Sequence, residues 1–236
     1  MHENLETLRC LFDHAVKHPK ETHWTQHLGW TGSIDNSKLI QLVCSALKQC
    51  GIVDENGNGQ TLLQCAVEIG NNEMVRQLIF HGAELEVSDN WGWMPLHVAS
   101  FHGHEDVVRT LLEAGANVCA ATTNWNEKRA LMSGARELQG WTGHPLHIAA
   151  LMGRIAVVKL LLVNGTDVNA STGVGHSEDP GHGPTALYIA LDPFVWGERG
   201  EALDDDRLGI ARILVENGAE VQGAGDHFYL SDVLRF

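Results

Sequence analysis

The sequence predicts an all-α protein built as a solenoid of stacked repeats, and two observations lead to that prediction. The first is self-similarity, because sliding the stretch 89–121 back by 33 residues places Gly59 on Gly92 and Gly82 on Gly115. Repeats with periods of about 20 to 50 residues are typical of folds in which each unit packs only against its neighbours. The second is the placement of glycines directly after the apolar helical patterns, at positions where a left-handed residue can end a helix.

The best-preserved unit, 89–121, predicts a turn followed by two short helices. Pro95 is tolerated in the first turn of a helix, since the N–H that proline lacks would have no partner there. Gly103 allows a tight reversal after the first helix, and Gly115 ends the second. These residues, with the sequence PLHVAS, resemble an ankyrin repeat. Similar motifs recur at 61–64, 145–150 and 185–190.

The resemblance implies an ankyrin-repeat solenoid with β-turn finger loops. It also implies that the motif histidines, His97 and His147, hydrogen-bond to backbone between repeats and are structural rather than catalytic. Gln64 and Tyr188 stand where this histidine is expected. Met94 and His144 likewise stand where the motif has threonine, and from these four departures we expect irregular bonding between repeats.

The repeat pattern divides the chain into a capped array. Residues 1–55 are predicted to form a degenerate N-terminal capping repeat, residues 56–225 four ankyrin repeats, and residues 226–236 a C-terminal cap. Gly115 and Gly165 lie 50 residues apart rather than 33, which leaves 17 additional residues in that unit. Loop insertions are predicted near 123–139, 173–180 and 194–206. Insertions in the finger loops would wall one side of the concave face and turn a groove into a pocket.

Composition excludes several classes of function. The formal net charge of −14 argues against binding nucleic acid or an anionic membrane, since both require a basic surface. The chain shows no signal peptide and no apolar run long enough to cross a membrane. Its five scattered cysteines, without a CxxC pair, favour a cytosolic or nuclear protein. Neither a cofactor motif nor a complete set of metal ligands is present, so we expect no cofactor and no metal.

The candidate site is the concave surface of the array. The resemblance implies that partner contacts come from the finger tips and from the exposed end of each first helix. These positions, with one tryptophan from the first insertion, form an aromatic and apolar groove in the middle of the array. Its predicted members are Trp91, Trp93, Phe101, His102, Trp125, Trp141, Leu151, Met152 and His182.

Three interpretations of this groove remain open. The insertions could simply cover the tryptophans as a local core, because large exposed apolar patches are uncommon without a role. The groove could hold a protein segment, as in an ankyrin-repeat binding or scaffold protein, since aromatic anchors dominate interface energies. It could instead hold an apolar small molecule, or catalyse cofactor-free isomerisation, dehydration or cyclisation, in a cavity lined by His102, Trp93 and Trp141. The candidate acid–base groups are then His102, Asp192, Glu68 and His144.

Overall fold

The chain folds into pairs of short helices, which a computed structural model describes for residues 59–122, 141–174, 183–191 and 205–220. The helices within those residues are α1 (Leu62–Glu68), α2 (Asn72–Phe80), α3 (Pro95–His102), α4 (Glu105–Glu113), α5 (Pro145–Leu151), α6 (Ile155–Val163), α7 (Ala186–Leu191) and α8 (Asp205–Glu216). A short antiparallel pairing joins β1 (Trp141–Thr142) to β2 (Gly173–Val174).

The helix pairs stack in the order of the chain. The first helices of the pairs, α1, α3, α5 and α7, contact one another in sequence, and the second helices, α2, α4, α6 and α8, do the same. We call these two rows the inner and the outer helices. Each inner helix also contacts the outer helix of its own pair. The predicted all-α solenoid is thus confirmed, because every pair is covered by its neighbours in the chain.

Local sequence explains where these helices begin and end. Pro95 is the first residue of α3, and the helix ends at Gly103, whose φ of 78° is left-handed. In the preceding repeat, glycine is required at position 70 for two reasons. Its φ of 73° is left-handed, and an added Cβ would lie 2.8 Å from the ring of His104. The glycines predicted to follow the outer helices all have positive φ: Gly82, Gly115, Gly165 and Gly218.

The core lies between the two rows of helices. Every residue of the inner helix α5 is buried, whereas the outer helix α6 buries only Val157, Val158 and Leu161. In the predicted leucine pair of α4, Leu111 is fully buried and Leu112 only partly so. The inner row therefore carries most of the buried apolar surface, and the outer row is exposed on one side.

The finger of the third pair is extended by the pairing of β1 with β2. Trp141 is opposite Val174 and Thr142 is opposite Gly173, whose amide donates to the Thr142 hydroxyl at 3.0 Å. A side chain at Gly173 would collide with that hydroxyl. The segment predicted as an insertion at 173–180 thus starts as a strand paired with the preceding finger.

Several predictions fall outside the described residues. They concern the caps at 1–55 and 226–236, the insertions near 123–139 and 194–206, and the remainder of the insertion that begins at 173. The predicted division of 56–225 into four repeats with these insertions stays a prediction for the same reason. Among the described residues, no helix is long and apolar enough to cross a membrane.

Candidate binding surface

The motif histidines are buried and bridge neighbouring repeats. The Nδ1 atom of His97 accepts the amide of Met94 at 3.2 Å, and its Nε2 donates to the carbonyl of Ala120 at 2.9 Å. His147 repeats this arrangement, with its Nε2 lying 2.9 Å from the Ala170 oxygen. Each neutral ring therefore uses both nitrogens, one as acceptor and one as donor. These contacts agree with the structural role that the resemblance implies.

Burial keeps both rings neutral. It lowers the pKa of His97 to about 4, against a smaller opposing effect of the hydrogen bond to Ala120. It lowers the pKa of His147 to about 3, and the nearby charge of His144 adds to that decrease. Because desolvation penalises the charged imidazolium, neither ring is suited to exchange protons near neutral pH.

The expectation of irregular bonding at Gln64 is wrong. Its side-chain oxygen accepts the amide of Thr61 at 2.8 Å, as Nδ1 of His97 accepts that of Met94. Its amide nitrogen donates to the carbonyls of Val87, at 3.3 Å, and Trp93, at 2.6 Å. Val87 lies 23 residues after Gln64, the same separation that joins His97 to Ala120. Glutamine thus reproduces the bridge, because its amide also offers one acceptor and a donor.

Three of the predicted groove residues belong to the core. Trp93 has 0% of its surface exposed, Phe101 6% and Leu151 1%. The rings of Trp93 and Phe101 pack edge to face, with centroids 5.5 Å apart. Burying such large apolar side chains stabilises the fold by roughly 1.5–3 kcal/mol each. This corrects their assignment to an open groove, and it removes Trp93 from the walls of the predicted cavity.

The partly exposed residues lie at or just beyond the C-terminal ends of the inner helices, one position after buried residues such as Phe101 and Leu151. Ile69, His102 and Met152 each directly precede the glycine at which the chain turns toward an outer helix, and all three are half-buried. We call these three residues the inner-end row. Trp91, at the finger turn, is also half-buried and packs against the core. Ile69 is the member that the predicted groove omits, although its position relative to Gly70 matches that of His102 relative to Gly103.

The remaining predicted groove residues cannot be compared in the same way. Trp125 and His182 lie outside the described residues. For Trp141, the backbone is described as part of β1, but the side chain is not. The structure therefore brings Trp91, His102 and Met152 to partly exposed positions, and the predicted contributions of the other three residues stay predictions.

Two of the candidate acid–base groups, Glu68 and His144, bond to the backbone or to a neutral side chain. The Glu68 carboxylate accepts from the Gln60 amide at 2.9 Å, and its carbonyl accepts from the His104 ring at 3.0 Å. The rings of His102 and His104 stack with centroids 5.6 Å apart. His144 lies elsewhere, with its Nδ1 2.9 Å from the Cys119 oxygen.

The predicted grouping of all four acid–base candidates stays a prediction. Asp192, the fourth candidate, is outside the described residues. Within the part of the chain that the structure describes, no three His, Cys, Asp or Glu side chains are grouped so that they could hold a metal ion.

Polar contacts also tie the ends of two inner helices, α1 and α3, to the next repeat. His104 donates to the final residue of α1, and Nε of Arg154 donates to the carbonyl of Phe101 at 3.2 Å. His104 and Arg154 both directly follow the turn glycine of their repeat. The inner-end row is therefore flanked by imidazole and guanidinium groups that are held in place by backbone acceptors.

Known families match the region that contains these repeats. The family model described as "Ankyrin repeats (3 copies)" matches residues 32–122, and the one described as "Ankyrin repeats (many copies)" matches residues 96–162. The Notch-regulated ankyrin repeat-containing protein A of Danio rerio is 43% identical over 79 residues, which are 33% of this chain and 70% of that protein. The chain belongs to the ankyrin-repeat family.

Other relatives of this ankyrin-repeat protein also match part of the chain. The human Notch-regulated ankyrin repeat-containing protein is 43% identical over 79 residues, or 33% of this chain and 69% of the relative. Human protein phosphatase 1 regulatory subunit 27 is 28% identical over 109 residues, or 46% of this chain and 68% of the relative. All of these matches cover less than half of the present chain.

Proposed function

We propose that this ankyrin-repeat protein is a binding protein that holds a segment of a partner protein along the inner-end row and the finger turn of Trp91. The observation that carries the proposal is the partial exposure of Ile69, His102 and Met152 at equivalent positions of successive repeats. Because the inner helices contact one another in order, these residues form a line across the array. An extended or helical segment could contact all of them together.

The chemistry of the row favours a peptide ligand. Ile69 and Met152 are apolar and pack partly against the core. A bound ligand would cover the part of each side chain that is still exposed. His102 adds a partly exposed imidazole ring between them, and the unbranched thioether of Met152 adapts to different side chains. A small number of polar groups among apolar contacts is typical of recognition sites.

The relatives support the same class of function. Ankyrin repeats serve protein–protein interaction, and the matched proteins are named as a regulatory subunit of protein phosphatase 1 and as Notch-regulated proteins. None of these names describes a catalytic activity. For this chain we take over only the coarse role of a binding or scaffold protein. The exposed thiol of Cys119 favours a cytosolic or nuclear location, where thiols stay reduced.

Site-specific photo-crosslinking in cells tests the proposal. A photoreactive phenylalanine analogue at position 102 should capture one protein reproducibly, through one segment of that protein. The matched control carries the same analogue at Arg76, which is exposed on the outer helix α2. Equal capture from positions 102 and 76 would show that the inner-end row has no special affinity.

The captured segment then allows a quantitative measurement. Its affinity for purified protein should fall at least about tenfold in the double variant Trp91→Ala/Met152→Ala, since two apolar contacts are lost. The helical circular dichroism of that variant should match the unmodified protein. Unchanged affinity in the folded variant would contradict the proposed site.

The rival interpretation, a small-molecule or enzymatic pocket, receives less support. It requires Trp93 to line a cavity beside His102, and Trp93 is fully buried against Phe101. No observation on the described residues favours it over the binding protein. Native mass spectrometry of the purified protein provides the direct comparison, since a retained small ligand would favour the rival.

A further inference from the structure

The outer helix α6 exposes apolar side chains where its neighbours α4 and α8 expose charge, although α2 also ends in an exposed apolar residue, Phe80. Val163 is 86% exposed, and the corresponding residues are Glu113 in α4 and Glu216 in α8, both exposed. Ala156 is exposed where α4 carries Asp106. The α6 sequence IAVVKLLLV contains a single charged residue in nine, so that the helix is apolar on its outer as well as its inner side. Such a helix is usually buried on all sides.

These side chains border one continuous depression on the outer surface. The depression has a volume of about 400 Å³ and is formed by α6 with the first residue of α4. Its lining is mainly apolar and consists of Glu105, Ile155, Ala156, Lys159, Leu160 and Val163. An isolated exposed apolar residue is ordinary on a protein surface, whereas these four apolar side chains line a single depression.

The borders of this depression are acidic. Glu105 lines it, and the two neighbouring outer helices carry further exposed carboxylates: Asp106 and Glu113 on α4, and Asp205, Asp206 and Glu216 on α8. The exposed cations of these three helices are fewer: Arg109, which is paired with Glu105 at 2.7 Å, Lys159, which lines the depression, and Arg212 on α8. The formal charge of the chain, −14, has the same sign. A partner therefore has to bring apolar side chains for the centre and positive charge for both edges.

We infer that the outer face of α6 is a second docking surface, whose occupant is a basic amphipathic helix of another protein. Apolar residues of that helix enter the depression beside Val163, and its lysine or arginine side chains face the carboxylates of α4 and α8. A second copy of this chain fits poorly, because it would place acidic borders against acidic borders. The surface lies on the outer helices, so this inference is independent of the inner-end row.

A pair of substitutions with a matched control tests the surface. Val163→Glu places a carboxylate in the centre, and α4 and α8 already carry glutamate at this position, so the fold tolerates it. Phe80→Glu is the control: Phe80 is 80% exposed, occupies the corresponding position of α2 and lies two repeats away. Both variants change the net charge by the same amount on the same side of the array.

The probe is a fluorescein-labelled synthetic peptide of about 18 residues, long enough to form a helix, with leucine along one face and lysine along the others. Fluorescence anisotropy with the full-length protein should show binding, and binding should be at least about tenfold weaker for Val163→Glu. Phe80→Glu should leave the affinity within about twofold, since it does not touch the depression. A peptide with the same composition but scrambled order, and one with glutamate in place of lysine, should not bind.

The other outcomes overturn the inference. Equal effects of Val163→Glu and Phe80→Glu would show that the peptide responds only to overall charge. Equal binding of the scrambled peptide would show the same. A dimer in sedimentation experiments that Val163→Glu dissociates would identify a second copy of the chain as the occupant, and the absence of any binding would remove the site.

Discussion

Replacing His97 and His147 by glutamine should make the fold much less sensitive to acid. Both imidazoles are buried and neutral, with pKa values lowered to about 4 and about 3. In the unfolded chain each ring should titrate near its ordinary value of about 6.5. The contribution of each neutral ring to stability is therefore complete above about pH 6.5, and it is lost as the pH falls toward the folded-state pKa.

The size of this loss follows from the two pKa values. At pH 5 the unfolded state binds a proton on each ring and the folded state does not, which costs about 2 kcal/mol per ring. This figure depends little on the folded-state values, because both lie well below pH 5. Together the two rings should cost roughly 4 kcal/mol between pH 7.5 and pH 5. Domains are commonly stable by only about 5–15 kcal/mol, so the loss is a large one.

Glutamine is the appropriate replacement because the protein already uses it at the same place. Gln64 accepts the amide of Thr61 and donates to the carbonyl of Val87, as His97 accepts from Met94 and donates to Ala120. The double variant should thus unfold at pH 7.5 with a free energy within about 1 kcal/mol of the parent. Urea unfolding followed by circular dichroism at pH 7.5 and pH 5 measures both values.

Equal losses of stability on acidification in the parent and the double variant would refute the reasoning. Each single variant should remove about half of the difference, since the two rings lie in different repeats. His97→Ala serves as a control for the hydrogen bonds. It leaves the Ala120 carbonyl without its donor, which should cost about 1–3 kcal/mol even at pH 7.5.

Two further predictions concern side chains that the fold constrains. Gly70→Ala should lower the free energy of unfolding in urea more than Gly115→Ala. Both substitutions place alanine at a left-handed position, which costs about 1–2 kcal/mol. Only Gly70→Ala also displaces a neighbour, the His104 ring. Equal losses would contradict the close approach. Trp93→Ala should cost about 3–5 kcal/mol, because the ring is fully buried, and Trp91→Ala clearly less. A larger loss of stability for Trp91→Ala than for Trp93→Ala would contradict the central place of Trp93 in the core.

The framework of the fold could be predicted because its signals are local. Pro95 at the start of α3 and Gly103 at its end act through their own backbone, whatever surrounds them. The same is true of the glycines that follow the outer helices. A period of 33 residues then implies stacking, because one such unit cannot bury its own apolar face.

The exact groove residues could not be predicted, because a shift of one residue changes what a side chain faces. Successive residues of a helix differ by about 100° in direction. Phe101 therefore points into the core while His102 is partly exposed, although both end the same helix. In the finger, Trp93 is buried and Trp91 only half-buried. The resemblance indicates the region of contact, but packing between repeats decides which residue of each pair is exposed.

Departures from the repeat pattern therefore have to be sorted by whether the fold explains them. Gln64 departs from the motif histidine, yet it makes the same bridge, so this difference says nothing about function. Val163 departs from Glu113 and Glu216 at a position that faces solvent, where no bond or packing within the described residues requires valine. A solvent-facing carboxylate would be equally compatible with the fold and would favour solubility. The presence of valine at position 163, beside an apolar depression, is for this reason a stronger indication of a binding surface than any change in the repeat motif.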